Sequence, residues 1–314
     1  MGNALVTGLD IGRHSIKAVV IKPSKDAFAL VSYRTLPIEA GIFSDNHGLN
    51  YQKIVKKLKE LRKSLPLFNR KVAFAISDNA VITKVLQIDS RFRGYERDLA
   101  IEQTFLSQSA LDAEPLCFDF VPLGTQSENG KRTYRVFATK QAPLLQWQTT
   151  IRQAGLTPIG ADVCGYALNH CLQQIQATDS DKPRLLIDLN WNGCSLVFAD
   201  QQQTLYANSW PQDIKHLGLT PLCQQLQTLL QRLMVQHNQQ IEVMWLCGEL
   251  ANCRSSVEQL QQLLQLKIET LNPLSLFTDY RVTEISNSYA LASSVAVRAC
   301  LYRQSMAGGR ACLN

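Results

Sequence analysis

One short pattern occurs twice in this chain and constrains its fold more than any other feature. Leu9-Asp10-Ile11-Gly12 precedes the apolar run Ser15 to Ile21, and Ile187-Asp188-Leu189-Asn190 precedes Ser195 to Ala199. Each copy reads as strand, acidic residue, tight turn, strand. The copies lie about a domain's length apart, which predicts a duplicated α/β fold with a site where the halves meet.

Such turns have a definite chemical use. A β-turn aims several backbone N–H groups to one side, and a glycine such as Gly12 lets the chain approach a phosphate closely. Ser15 supplies a hydroxyl donor and Lys17 a point charge for a β- or γ-phosphate. Asp10 suits a hydrated Mg²⁺, which takes one or two carboxylates plus waters and phosphate oxygens, and Asp188 mirrors it from the other half. Arg13 and His14 inside the first turn, with Asn190 and Asn192 in the second, complete the candidate phosphate and Mg²⁺ set. Two ordinary hairpins, each with an Asp capping its turn, remain an alternative.

The rest of the chain fits two α/β halves. After a β-meander comes the basic stretch Lys53 to Lys71, in which Ile54, Val55, Leu58, Leu61 and Leu65 recur at helical spacing. It reads as a surface helix with a solvated charged side, or as a weak attraction to anionic lipid or nucleic acid. Strands follow at Val72 to Ile76 and Val81 to Ile88, then a helix over 95–110. Leu116 to Pro122 and Thr133 to Thr139 flank the polar loop Gly124 to Gly130. A helix over 143–154 stops at Gly155, and a strand and a helix to about Gln176 follow. Ala177 to Pro183 is the clearest linker. Meander character then returns, followed by a helix over 219–237, a strand over 242–247, a helix over 254–264, a short strand, and a small-residue helix over 288–301.

Composition narrows the function classes. Hydrophobic residues make up 46% and charged ones 18%, an ordinary globular balance, and no run of about 18 apolar residues is present. Met1 to Leu5 carries no basic start and Asp10 interrupts any signal-like stretch, so the protein is expected to stay in the cytoplasm. The nine cysteines are odd in number and scattered, with no Cys-x-x-Cys pair. They read as reduced thiols in core positions, with no metal site. The net charge of +6 comes without basic–aromatic interleaving, so direct nucleic-acid binding is not expected.

Asp10-Ile11-Gly12-x-x-Ser15-x-Lys17-Ala18-Val19 resembles the first phosphate motif of the actin and sugar-kinase superfamily, in the form used by the PilM family. Val72 to Ile76 with Val81 to Lys84 is similar to the segment entering that family's extra subdomain. Val136 to Thr139 and Gln153 to Pro158 resemble its exit. Asp162 to Asn169, Leu246-Cys247-Gly248 and Tyr289 to Arg298 are similar to the following strand–helix, the adenosine motif and the last helix. The ordered set covers nearly the whole chain and looks nearest to the family's enterobacterial branch.

The resemblance implies an actin-like ATPase fold, ribonuclease H-like and duplicated, with an inserted subdomain of the FtsA and PilM type. Residues 1–76 and 155–180 would form the first lobe, 77–154 the insertion, 181–302 the second lobe and 303–314 a tail. It implies ATP with Mg²⁺ between the lobes, with Gly248 and Glu249 on the adenosine side. It also implies a partner, the N-terminal cytoplasmic tail of a PilN-like single-pass inner-membrane protein. Through it the chain would be peripheral to the membrane and coupled to the pilus motor and platform, in a machine that also draws in DNA. The tail's groove is expected beside the insertion, with Val81, Thr83 and Val85 lining it by strand addition.

Three departures weaken the expectation that nucleotide binds. Asn190 stands where the second phosphate motif has glycine. Glu249-Leu250-Ala251 replaces further glycines, and an unpaired carboxylate there would crowd adenine and repel phosphates. The helix that in the family helps hold the nucleoside has no counterpart after Asp200. No additional acid or base is evident to position an attacking water. The expectation is therefore a non-catalytic scaffold with a degenerate cleft; an ATPase or kinase on the same fold is the alternative.

Overall fold

The computed structural model describes residues 5–24, 27–39, 42, 50–67, 69–109, 114–128, 130–175, 183–191, 193–200, 204–279 and 286–307. The expected linker at 177–182, Asn192 and the residues after Ala307 lie outside them.

The chain forms two compact units. The larger is built from the chain up to Asp78 and from Thr150 to Cys300. It opens with β1 (Val6–Ile11), β2 (Ser15–Pro23) and β3 (Phe28–Pro37), an antiparallel meander. The helix α1 (Tyr51–Ser64) leads to β4 (Lys71–Ile76), which lies parallel to β1. The smaller unit holds β5 (Val81–Asp89), α2 (Tyr95–Ser107), β6 (Leu116–Glu128) and β7 (Lys131–Lys140). The helix α3 (Gln141–Gln153) then leads to β8 (Thr157–Val163), which joins β4, and to α4 (Cys164–Gln173).

The second half repeats the first. The strands β9 (Arg184–Asn190), β10 (Gly193–Ala199) and β11 (Thr204–Pro211) form a second meander. After α5 (Ile214–Leu217) and α6 (Thr220–His237) comes β12 (Val243–Cys247), parallel to β9. Then follow α7 (Arg254–Leu264), β13 (Lys267–Thr270) and α8 (Ala290–Ala307). The two five-stranded sheets have the same order, β3-β2-β1-β4-β8 and β11-β10-β9-β12-β13. The expected duplication is therefore present strand for strand. The last helix outruns its expected end at Leu301, so residues 303–307 are helical rather than tail.

Apolar patterning explains the layers. In β1 and β9 both faces are buried, because helices cover each sheet on both sides. Ala73 of the first sheet and Leu186, Val197 and Ala199 of the second share one core with Ala167 and Leu168 of α4 and Ala290 and Val295 of α8. The outer side of the second sheet packs on Leu226, Leu230 and Leu233 of α6 and Leu260 of α7. The basic helix α1 buries Ile54, Val55, Leu58 and Leu61, while Lys53, Lys56, Lys59 and Lys63 face solvent. Within it Lys57 pairs with Glu39 and Glu60. The eight cysteines in the described residues are free, six of them buried.

Close packing of α8 on the first sheet depends on Gly8. A Cβ there would lie 1.9 Å from the Ala292 carbonyl oxygen and 2.6 Å from the Ala296 nitrogen. Backbone cannot give way as a side-chain tip can, so Gly8→Ala should cost at least about 3 kcal/mol. Gly160→Ala in β8 is the control: a Cβ there meets nothing within 4 Å. Chemical denaturation should show a large loss for the first variant and a change within about 0.5 kcal/mol for the second.

Candidate functional site

The two hairpins turn alike. In the first, Asp10 is opposite Lys17, and Gly12 and Ser15 flank a two-residue turn. In the second, Asp188 is opposite Ser195, and Asn190 and Gly193 flank the turn. The register thus equates Asn190 with Gly12, and Ser195 with Lys17. Gly12 does not turn its amide outward. Its N–H donates to the Ser15 carbonyl at 3.0 Å and closes the hairpin. Arg13 and His14 form the exposed tip of the turn.

Lys17 is the centre of the site. It is only 4% exposed, and its ammonium lies 3.1 Å from Glu249 Oε1 and donates to Asn190 Oδ1 at 3.1 Å. Ser15 Oγ donates to Glu249 Oε1 at 3.4 Å. Asn190 Oδ1 also accepts from the Glu249 backbone N–H at 3.1 Å, and Asn190 Nδ2 donates to Asp188 Oδ1 at 3.3 Å. Burial alone would lower the Lys17 pKa, but Asp10, Glu249 and Asp188 outweigh it and hold the ammonium charged.

The carboxylates move the other way. Burial raises Asp188 to about 7; Lys17 opposes the shift and Asp10 adds to it. Asp10 is also raised, by burial first, against Lys17. Around one ammonium stand three carboxyl groups.

Glu249 was expected on the adenosine side as an unpaired carboxylate. Its carboxylate faces Ser15 and Lys17 and is paired. Gly248, expected on the same side, has φ +96°, and a Cβ there would fall 2.2–2.6 Å from the backbone of Leu189, so strand packing demands the glycine. Asn192 lies outside the described residues. Val81, Thr83 and Val85 lie on β5, in the smaller unit.

Sequence reasoning missed a second polar chain. Asp78, just beyond β4, accepts from the Gly165 N–H at 3.1 and 3.2 Å and from Ser209 Oγ, whose oxygen lies 2.8 Å from Ser195 Oγ. Burial raises the Asp78 pKa, with Ser209 and Gly165 opposing. The signal was present: Ser195 occupies the Lys17 position of the repeated hairpin, and an acid directly after a buried parallel strand needs donors.

A family model described as type IV pilus assembly protein PilM matches residues 8–210. The chain belongs to the PilM family. A solved structure titled PilM–PilN type IV pilus biogenesis complex is similar at 22% identity, with a TM-score of 0.78, covering 95% of this chain and 98% of that one. The ethanolamine utilization protein EutJ from Carboxydothermus hydrogenoformans is similar at 11% identity, with a TM-score of 0.54, covering 95% and 90%. These likenesses establish the actin-like ATPase fold. No curated protein compared matches the sequence.

For this PilM-family chain the side chains at the hairpins do not fit ATP with Mg²⁺ as they stand. Two of the three donors of Lys17 are committed to Glu249 and Asn190, the Gly12 amide closes its own turn, and the Ser15 hydroxyl also faces the Glu249 carboxylate.

The Asp188 shift has a pH consequence. Its folded pKa lies above the unfolded value of 3.8, so its contribution to stability is full below about pH 4 and is lost as pH rises through about 7. Asp188→Asn removes this loss. The variant should gain on wild type by roughly 2–4 kcal/mol between pH 4 and pH 8, measured as the difference between denaturation curves at each pH.

Proposed function

We propose that this chain is a non-catalytic cytoplasmic scaffold that docks the N-terminal tail of a PilN-like single-pass inner-membrane protein. The machine would be of the type IV pilus or DNA-uptake kind, and the chain would stand in the enterobacterial HofM branch of the family. Family membership supports the pilus assignment, and the similar PilM–PilN complex supports the partner class. No helix among the described residues is long and apolar enough to cross a membrane, consistent with attachment through a partner.

The observation that carries the docking reading is the free side of β5. The sheet order is β5-β7-β6, and among the described residues nothing pairs with the outer edge of β5. Leu86 and Ile88 pack inward with Ile101 and Phe105 of α2. Val85 is 56% exposed, Thr83 is exposed and Val81 is half-buried on the opposite face. An open edge of nine residues offers main-chain bonds for affinity, and its alternate side chains offer specificity.

ATP turnover is the second reading, and the pairing of Lys17 with Glu249 weighs against it. Direct nucleic-acid binding has only the solvated lysines of α1 in its favour.

The test is calorimetric titration with a synthetic peptide of the PilN-type tail. Val85→Lys should weaken binding by about tenfold or more while stability changes by less than about 0.5 kcal/mol. Unchanged affinity would remove β5 from the groove. A wild-type protein that binds no tail peptide would remove the scaffold reading.

A further inference from the structure

The geometry points to Glu249 as a built-in anion that occupies the phosphate position of the site and latches the two halves together without nucleotide. A carboxylate and a phosphate ask the same thing of their surroundings, namely hydroxyl and ammonium donors on one side. Glu249 Oε1 finds both, Ser15 Oγ at 3.4 Å and Lys17 Nζ at 3.1 Å, on the hairpin where the sequence predicts a phosphate cradle.

Asn190 and Glu249, two of the departures that the resemblance implies, hold each other in place, and neither side chain is loose. One amide oxygen, Asn190 Oδ1, accepts from both Lys17 Nζ and the Glu249 N–H, at 3.1 Å each. Asn190 therefore fixes the start of the turn that carries Glu249, and Glu249 completes the neutralisation of Lys17. The donors come from β2 of the first half and the acceptors from the second half, more than 170 residues away in sequence. The network closes the halves on each other.

Glu249 is also rigidly mounted. Gly248 is pressed against the Leu189 backbone, and its N–H donates to the Asn287 carbonyl at 2.9 Å. Leu250 and Ala251 directly after it are buried. Protein atoms alone bury Lys17 and Asp188 to 4% exposure each. A triphosphate would have to displace Glu249 from Lys17 and then stand beside three carboxyl groups.

The test is calorimetric titration of the full chain with Mg-ATP, for wild type, Glu249→Gln and the double variant Glu249→Gly/Asn190→Gly. Wild type should give no heat at millimolar nucleotide. The double variant should bind at least about tenfold tighter than wild type's limit, and Glu249→Gln should lie between them. A thermal-melt cycle of Lys17→Met and Glu249→Gln supplies a second readout. The double variant of that pair should lose less than the sum of the singles, because each single strands its partner's buried group. Micromolar Mg-ATP binding by wild type would overturn the latch. So would a folded Glu249→Gly/Asn190→Gly variant with no gain in affinity; if that variant does not fold, Glu249→Gln decides the matter in the same way. Failure of the tail peptide to bind wild type would strike the docking reading and leave the latch standing.

Discussion

A lysine ammonium held at 4% exposure inside a protein must be neutralised, and the interior of the larger unit is arranged around that requirement. The groups that hold Lys17 come from three segments: Asp10 across the hairpin, Asp188 and the accepting amide of Asn190 from the repeated hairpin, and Glu249 from the turn after β12. Glu249, which makes the ion pair, cannot leave without stranding the buried ammonium, and such losses cost several kcal/mol in buried pairs. The electrostatics of the centre therefore constrain the geometry of both sheets.

The same requirement connects packing to charge. The turn bearing Glu249 reaches Lys17 because Gly248 lies against the backbone of Leu189, one residue from Asp188 and one from Asn190. The strand register that sets Asp188 beside Ser195 also places the Ser209–Asp78 chain on the N–H of Gly165 in α4. Gly8 lets α8 close on the first sheet, and α8 shares a core with the second. Small residues at close approaches and a polar centre at the hairpins are two parts of one arrangement.

Much of this was legible in the sequence. The repeated Asp-turn pattern fixed the duplication, because register inside a hairpin follows from its alternating apolar residues and its turn length. Buried strands and the amphipathic α1 were legible from their periodicity, as Ile54, Leu58 and Leu61 illustrate. The direction of Glu249 was not. A local reading sees an acid after a glycine and expects it to be unpaired. Its partners lie 232 and 234 positions away, and only the apposition of the halves brings them within reach. The bonds of Asn190 were out of reach for the same reason: both acceptor bonds of its amide oxygen are tertiary. The bond of Gly12 is set at shorter range, since a two-residue turn spends that amide on the Ser15 carbonyl.

Catalysis and scaffolding place opposite demands on such a centre. A phosphoryl-transfer site must keep its cation free for a substrate oxygen and admit an oriented water. A platform needs its two halves held at a constant setting while another surface binds, and an internal ion pair meets that need continuously. In the scaffold proposed above, Lys17 bound to Glu249 serves the second demand at the expense of the first. Burial raises the pKa of both hairpin acids, Asp10 and Asp188. A shift in that direction disfavours the ionised form that a hydrated Mg²⁺ would need, and it lowers the cost of closing the interior over these groups. The site's electrostatics thus favour the closed body over the open, ligand-accepting one.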